Sequence, residues 1–245
     1  MSTRLVHLVF DSADPPRMAE FWADALGWAA DVELPDEAEA MPAGFSYPGP
    51  AAVPLVFVSM PKPKAAKNRV HLDLTSSSLD NQAAQVERLL QRGATHVDIG
   101  QCDVPWVVLA DPEGNEFCVL EPREIYRDTG PVAAIVVDCL DPGVMSAFWT
   151  QAAGWPVARS LDYLIALRSA TGEGPFLELL RSAEPKLVKN RVHLDVAPPP
   201  GGDNHAEAER LERAGARPAD VGQGDQPWIV LADPDGQEFC VLTAR

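Results

Sequence analysis

The sequence predicts an α+β fold made of four βαβββ units, and three observations predict it. The first is a long-range echo: Lys67-Asn68-Arg69-Val70-His71-Leu72-Asp73 returns 122 residues later as Lys189-Asn190-Arg191-Val192-His193-Leu194-Asp195. At the same offset Pro105-Trp106, Leu109 to Pro112 and Glu116 to Leu120 return as Pro227-Trp228, Leu231 to Pro234 and Glu238 to Leu242. A repeat of that length means one unit built twice. The second is that each half opens on β-formers followed by an Asp-Pro-capped helical pattern. The third is that each half closes on two short apolar runs around an Asp-Pro-(Glu/Asp)-Gly turn.

Taken in order, Leu5 to Phe10 reads as a strand. Asp14 is an N-cap with Pro15 at the first helical position, and Met18, Phe21, Trp22, Ala25 and Leu26 keep helical spacing until Gly27. The second half repeats this with Val132 to Val137, Asp141-Pro142, Met145, Phe148, Trp149, Ala152 and Gly154. Leu55 to Val58 and Phe176 to Leu180 are short strands. The His-bearing segments open second units, whose helices run over about 83–91 and 206–214. Trp106 to Ala110 and Glu116 to Leu120 form a hairpin, with Asp111-Pro112-Glu113-Gly114 suited to a type I turn. The halves are expected at 1–122 and 131–245, with 123–130, inside the polar stretch Pro122 to Pro131, as linker. Residues 28–54 are Pro-, Ala- and acid-rich and five longer than their counterpart, which suggests a loop at a pocket mouth; Asp31 to Glu39 reads as a solvated part of it.

Bulk properties remove several function classes. A length of 245 residues with 46% hydrophobic content builds a core in each half. The net charge of −16 argues against nucleic acid and anionic membrane as partners. No apolar run reaches membrane-spanning length, and the N-terminus carries no signal-peptide pattern. Cys102, Cys118, Cys139 and Cys240 show no CxxC spacing. These features lead to the expectation of a cytoplasmic monomer or homodimer whose partner is a small-molecule substrate or ligand.

The four units, the capped helix with Phe-Trp and a closing Gly-Trp, and the Asp-Pro-(Glu/Asp)-Gly-x-Glu-Phe hairpin together resemble the vicinal oxygen chelate superfamily. Its members include glyoxalase I, extradiol dioxygenases, fosfomycin-resistance enzymes and bleomycin-binding proteins. The resemblance covers nearly the whole chain and implies tandem glyoxalase-like domains, with units paired into two U-shaped mixed sheets and helices packed outside. It also implies a divalent metal site on the floor of each U. Its ligand places on the first, fifth and eighth strands fall on His7, His71 and Cys118 in half one. In half two they fall on Ala134, His193 and Cys240; the fourth-strand place is Val56 in half one and Glu178 in half two. Cysteine stands where the family usually has Glu. The metal candidates are therefore His7, His71, His193 and Glu178.

Strand parity supports the inward direction of these residues. His71 shares a face with Asp73, leaving Val70, Leu72 and Leu74 for the helix side; His193 and Asp195 match them. His7 would share a face with Leu5 and Val9, leaving Val6, Leu8 and Phe10 to the helices. Trp106, Trp228, Cys118 and Cys240 face the cavity too. This gives Glu178, His193 and His71 as catalytic candidates and Asp73, Trp106, Asp195 and Trp228 as substrate-binding candidates.

Each has a structural alternative: a histidine held by its neighbouring carboxylate, a cysteine packed as a small hydrophobe, a tryptophan that only fills space. Glu178 in an apolar strand needs a partner or a metal, whereas Phe21-Trp22 and Phe148-Trp149 read as core. Pairing within halves would group His7, His71 and Cys118 apart from Glu178, His193 and Cys240. Pairing across halves would group His7, His193 and Cys240 apart from Glu178, His71 and Cys118. Either set is too poor in oxygen for tight Mg²⁺ or Mn²⁺, suits one zinc or similar ion, and is compatible with no metal. Two functions follow. One is an enzyme on a small oxygenated metabolite, by lyase, isomerase or ring-opening chemistry; the alternative is a metal-free protein that sequesters a drug or metabolite. The His-x-Asp pairs and Glu178 favour the enzyme, with the pocket carrying Glu178 as the working one.

Overall fold

In the computed structural model, residues 3–47, 49, 52–60, 62–101 and 103–245 are described; Met1, Ser2 and Cys102 lie outside them. The four units are present in chain order. Unit one has β1 (Arg4–Ser12), α1 (Pro15–Leu26), β2 (Ala29–Asp31), β3 (Glu37–Met41) and β4 (Leu55–Ser59). Unit two has β5 (Val70–Leu74), α2 (Leu79–Gln91), β6 (Thr95–His96), β7 (Val107–Ala110) and β8 (Glu116–Val119). Unit three has β9 (Val132–Cys139), α3 (Pro142–Ala153), β10 (Val157–Ser160), β11 (Leu164–Leu167) and β12 (Phe176–Arg181). Unit four has β13 (Val192–Ala197), α4 (Asn204–Arg213), β14 (Arg217–Pro218), β15 (Ile229–Ala232) and β16 (Glu238–Val241).

The units pair across the halves. One eight-stranded sheet runs β14-β15-β16-β13-β1-β4-β3-β2 and the other β10-β11-β12-β9-β5-β8-β7-β6. Each is mixed: β1–β13 and β5–β9 are antiparallel at the centre, flanked by parallel β1–β4, β13–β16, β9–β12 and β5–β8. Of the two pairings left open by the sequence, the strand order selects the one that puts His7 with His193 and His71 with Glu178.

The helices begin and end where side chains can satisfy their free backbone groups. Asp14 accepts from Arg17 N and Asp141 from Gly143 N and Val144 N, each followed by Pro. Gly27 closes α1 at φ 68°, a left-handed conformation that a Cβ would strain. Ser78 and Asp203 cap α2 and α4, which therefore start earlier than their apolar spacing suggested. All four helices bury their apolar faces in one core, with Trp22 and Trp149 each about 1% exposed. Their indole N–H groups donate to Asp111 and Asp233, the buried first residues of the two hairpin turns. Among the described residues no helix is long and apolar enough to cross a membrane.

The repeated Lys-Asn-Arg is a clamp between the halves. Lys67 binds Asp138 at 2.6 Å and Lys189 binds Asp11 at 2.7 Å. Arg69 donates to the carbonyls of Glu184 and Asp138, and Arg191 to those of Lys62 and Asp11 and to the Glu113 carboxylate. These arginines fix the ends of β5 and β13 against β9 and β1, so the histidines one turn of the pleat later are rigidly placed.

Parity fails in two places. A bulge between Leu5 and His7 sends Leu5 into the helix-side core and Val6 onto the inner face with Cys240 and Leu242, the reverse of simple alternation. The equivalent irregularity opposite Asp73 and Leu74 brings Ala133 and Ala134 to the inner face together.

Candidate functional site

Each inner face carries two neighbouring rows of side chains. In the first sheet one row reads Cys240–Asp195–His7 and the next His193–Val9–Val56–Glu39. The second sheet reads Cys118–Asp73–Ala134 and His71–Val136–Glu178–Ala166. The two sites are one template with the carboxylate moved by a strand: Glu178 stands on β12, whereas in the first sheet that place is Val56 and Glu39 on β3 supplies the acid. Glu39 is half-buried, not part of a solvated loop, because β3 alternates Glu37-Ala38-Glu39-Ala40 with both alanines in the core; only the stretch between β2 and β3 is loop.

In the first sheet Asp195 sits between two imidazoles, 3.5 Å from His7 Nδ1 and 3.4 Å from His193 Nε2. Burial opposes its charge, but the two histidines outweigh burial and hold its carboxyl below the usual range. His7 Nε2 meets the Tyr47 hydroxyl and lies 3.3 Å from Arg245 Nη1. Arginine can only donate, so Nε2 presents its lone pair and the ring proton points from Nδ1 to Asp195. Cys240 Sγ lies 3.6 Å from His193 Nε2. Trp228 and Tyr47 pack against the same floor. Desolvation, then Glu39, pushes the Tyr47 hydroxyl up to about 12.

The second sheet lacks the first-strand histidine, and its electrostatics invert. His71 Nε2 lies 3.6 Å from Asp73 Oδ1. Burial and then the nearby Glu178 raise Asp73 to about 7, while burial lowers His71 to about 4. Glu178, about 4% exposed, is itself raised by burial. Its Oε1 accepts a hydrogen bond from Tyr126 Oη at 2.8 Å. Tyr126 comes from a short 3-10 turn, Glu124–Tyr126, inside the segment between the halves. It packs on Phe176, and Arg123 lies 5.5 Å over the Trp106 ring and 6.0 Å over Tyr126. Trp106, Val108, Leu164 and Leu180 complete an apolar wall. A recess of about 300 Å³ shares Arg123, Tyr126 and Leu120 with it.

The structure thus brings His7, His193, Asp195 and Trp228 together on one sheet, and His71, Asp73, Glu178 and Trp106 on the other. His193 and Glu178, grouped as catalytic candidates, do not meet. Reading by motif missed Tyr47, Glu39, Arg245, Tyr126 and Arg123. A signal existed for three of them: Arg123 and Arg245 obey the 122-residue offset, and Glu39 lies in a period-two pattern.

Both sheets offer donors for an ion. His71, Asp73 and Cys118, and likewise His193, Asp195 and Cys240, present ligand atoms within 4.8 Å of one another. Among the described residues, the buried Oδ1 of Asp73 and of Asp195 has no hydrogen-bond partner. An orphaned buried carboxylate oxygen is costly, and nitrogen, oxygen and sulfur donors together suit a zinc-class ion, so the donor sets fit a metal.

A family model described as a glyoxalase-like domain matches residues 7–120 and again 134–242. No curated protein matches the sequence significantly. The fold is similar to glyoxalase I from Zea mays, with a TM-score of 0.63 at 15% identity over 99% of this chain and 92% of that one. A candidate dioxygenase from Bacillus subtilis gives a TM-score of 0.62 at 13% identity, over 99% and 85%.

Proposed function

Because the chain belongs to the glyoxalase-like domain family, we propose that it acts on a small oxygenated metabolite at the inner face of the second sheet. Glu178 removes a proton from carbon beside a carbonyl and returns it to a neighbouring position. The observation that carries this reading is the buried Glu178 carboxyl, held by one oxygen through Tyr126 and raised by desolvation. A carboxylate so raised is a stronger base than an exposed one, and proton transfer is most effective when the pKa approaches working pH. Tyr126 is a positioning residue that fixes Oε1 and turns Oε2 toward the ligand. Arg123 at the rim suits an anionic substituent, and the Trp106 and Phe176 walls exclude water. His71, Asp73 and Cys118 would hold a divalent ion, which when bound polarises the substrate oxygen and stabilises enolate charge.

The test is deuterium incorporation, followed by proton NMR, into a panel of small α-hydroxycarbonyl compounds and hemithioacetals in D₂O. Exchange with the wild-type protein that falls at least a hundredfold in Glu178→Gln supports the reading. Absence of exchange across the panel, with saturable quenching of Trp106 fluorescence by some of the same compounds, would instead establish the sequestering function. The apolar wall and the Ala134 vacancy in the ligand set favour that second reading.

A further inference from the structure

We infer that the inner face of the first sheet holds a tetrahedral zinc-class dication on His193 Nε2, Asp195 Oδ1 and Cys240 Sγ, with His7 outside the coordination sphere. The family pattern would place His7 on the ion; here Asp195, two residues beyond His193 on the same face, takes that position.

Spacing is the first argument. Bonds of about 2.1 Å to nitrogen and oxygen and about 2.3 Å to sulfur at a tetrahedral centre separate N from O by roughly 3.4 Å and N from S by roughly 3.6 Å. The observed separations are 3.4 Å for His193 Nε2 to Asp195 Oδ1 and 3.6 Å for His193 Nε2 to Cys240 Sγ. An N–H···O hydrogen bond would close to about 2.9 Å. One imidazole nitrogen therefore faces both neighbours at ligand-to-ligand distances.

The orphaned oxygen is the second. Asp195 Oδ1 is buried without a hydrogen-bond partner among the described residues, while its other oxygen faces His7 Nδ1. The unpartnered atom is the one that faces His193 Nε2, and Cys240 Sγ lies on the same nitrogen. All three donor residues are under a tenth exposed.

His7 supplies the third. Both of its ring nitrogens are engaged, Nδ1 by Asp195 and Nε2 by Tyr47 and Arg245. Ligation through either would break one of these contacts. In its present place it is the outer partner that orients a ligating carboxylate, a role normally worth 10- to 100-fold in metal affinity.

The inference is independent of the Glu178 chemistry, and its test reads coordination. Metal-free protein is titrated with cobalt(II) and followed by electronic absorption, using Cys118→Ser to silence the second sheet. A thiolate-to-cobalt charge-transfer band with tetrahedral ligand-field bands is expected in the wild type and in Cys118→Ser. Added to Cys118→Ser, Cys240→Ser should abolish the band, and Asp195→Asn should weaken binding at least tenfold. His7→Ala should keep the band with 10- to 100-fold weaker binding. A silent Cys118→Ser protein, or a band that survives Cys240→Ser in that background, overturns the site; loss of the band on adding His7→Ala with Asp195→Asn unaffected overturns the ligand assignment. Should Cys240→Ser not fold, zinc-edge X-ray absorption on Cys118→Ser decides, since an ion without a sulfur neighbour sinks the proposal.

Discussion

Tyr126, carried on the segment that joins the two halves, donates its hydroxyl to Glu178 across 2.8 Å. Because Glu178 lies on β12 and its sheet is completed by β5, one contact ties the connecting segment to both halves at the floor of the second site. The corresponding region of the first sheet is served differently, by Tyr47 from the loop after β3 and Arg245 at the far end of the chain. Two local solutions thus place a tyrosine and an arginine over each inner face.

Removing the Tyr126 donor should be felt as stability. Tyr126→Phe keeps the ring on Phe176 but leaves a buried carboxyl without its partner, costing about 1–3 kcal/mol. The loss should shrink at low pH, where Glu178 is protonated in both states. A urea midpoint unchanged at neutral pH would show that the contact contributes nothing.

The pH dependence of stability should change in a predictable way in Asp73→Asn. The folded-state value of Asp73 is raised to about 7 from an ordinary 3.8. Between those values the folded protein binds the extra proton, so this group's contribution is present at acid pH and lost as pH rises toward 7. Deleting it in metal-free protein should remove about 1.4 kcal/mol per pH unit of downward slope across that window. Asp111, raised to about 6, Asp233, raised to about 7, and the raised Glu178 and Glu39 add slope of the same sign, while His71, lowered to about 4, adds slope of the opposite sign. A slope identical to wild type would refute the assignment.

Much of this fold was legible because its signals are local and doubled. The Asp-Pro caps, the Gly stops and the hairpin turns each rest on a few adjacent residues, and the 122-residue echo confirmed them in pairs. The pairing of units was not legible, because His7 and His71 have the same inward parity whichever partner strand they meet. Nor was the bulge at Val6, since alternation carries no mark where an extra residue is inserted. Tyr126 was hidden in a polar stretch without periodicity, where a single buried side chain leaves no pattern. Glu178 was recognised as needing a partner; only tertiary structure could name the tyrosine.

The clamp formed by Arg191 should be among the most sensitive positions outside the sites. Its side chain and that of Glu113 are 13% and 12% exposed, 2.9 Å apart, and Glu113 also accepts from Ser12 and from the backbone of Ala13 and Asp14. Arg191→Met should cost about 3–5 kcal/mol, since it removes the cation beside a partly buried carboxylate and leaves Glu113 Oε2 and the Asp11 carbonyl without their donor. Glu124→Gln, which breaks a surface pair with Arg127 exposed at 69% and 83%, should change stability by less than about 0.5 kcal/mol. Comparable effects of the two in thermal or urea unfolding would contradict the ranking.

His7→Ala should give the first sheet the electrostatics of the second. In register, His7 faces Asp195 as Ala134 faces Asp73. That histidine is one of the differences between the two carboxyls: burial opposes both charges, but Asp195 lies below the usual range with His193 and His7 beside it, and Asp73 is raised to about 7 with Glu178 nearby. Once His7 is gone, desolvation acts on Asp195 with only His193 to oppose it, and its carboxyl should move above the ordinary value. Asp195 contributes stability that is present above its unfolded value and lost as pH falls through its depressed folded value, so the variant should also lose stability at neutral pH. Carbon-13 NMR titration of the metal-free variant reads the shift directly. A carboxyl that stays depressed without His7 would mean that His193 alone sets it, and the contrast between the two sheets would need another cause.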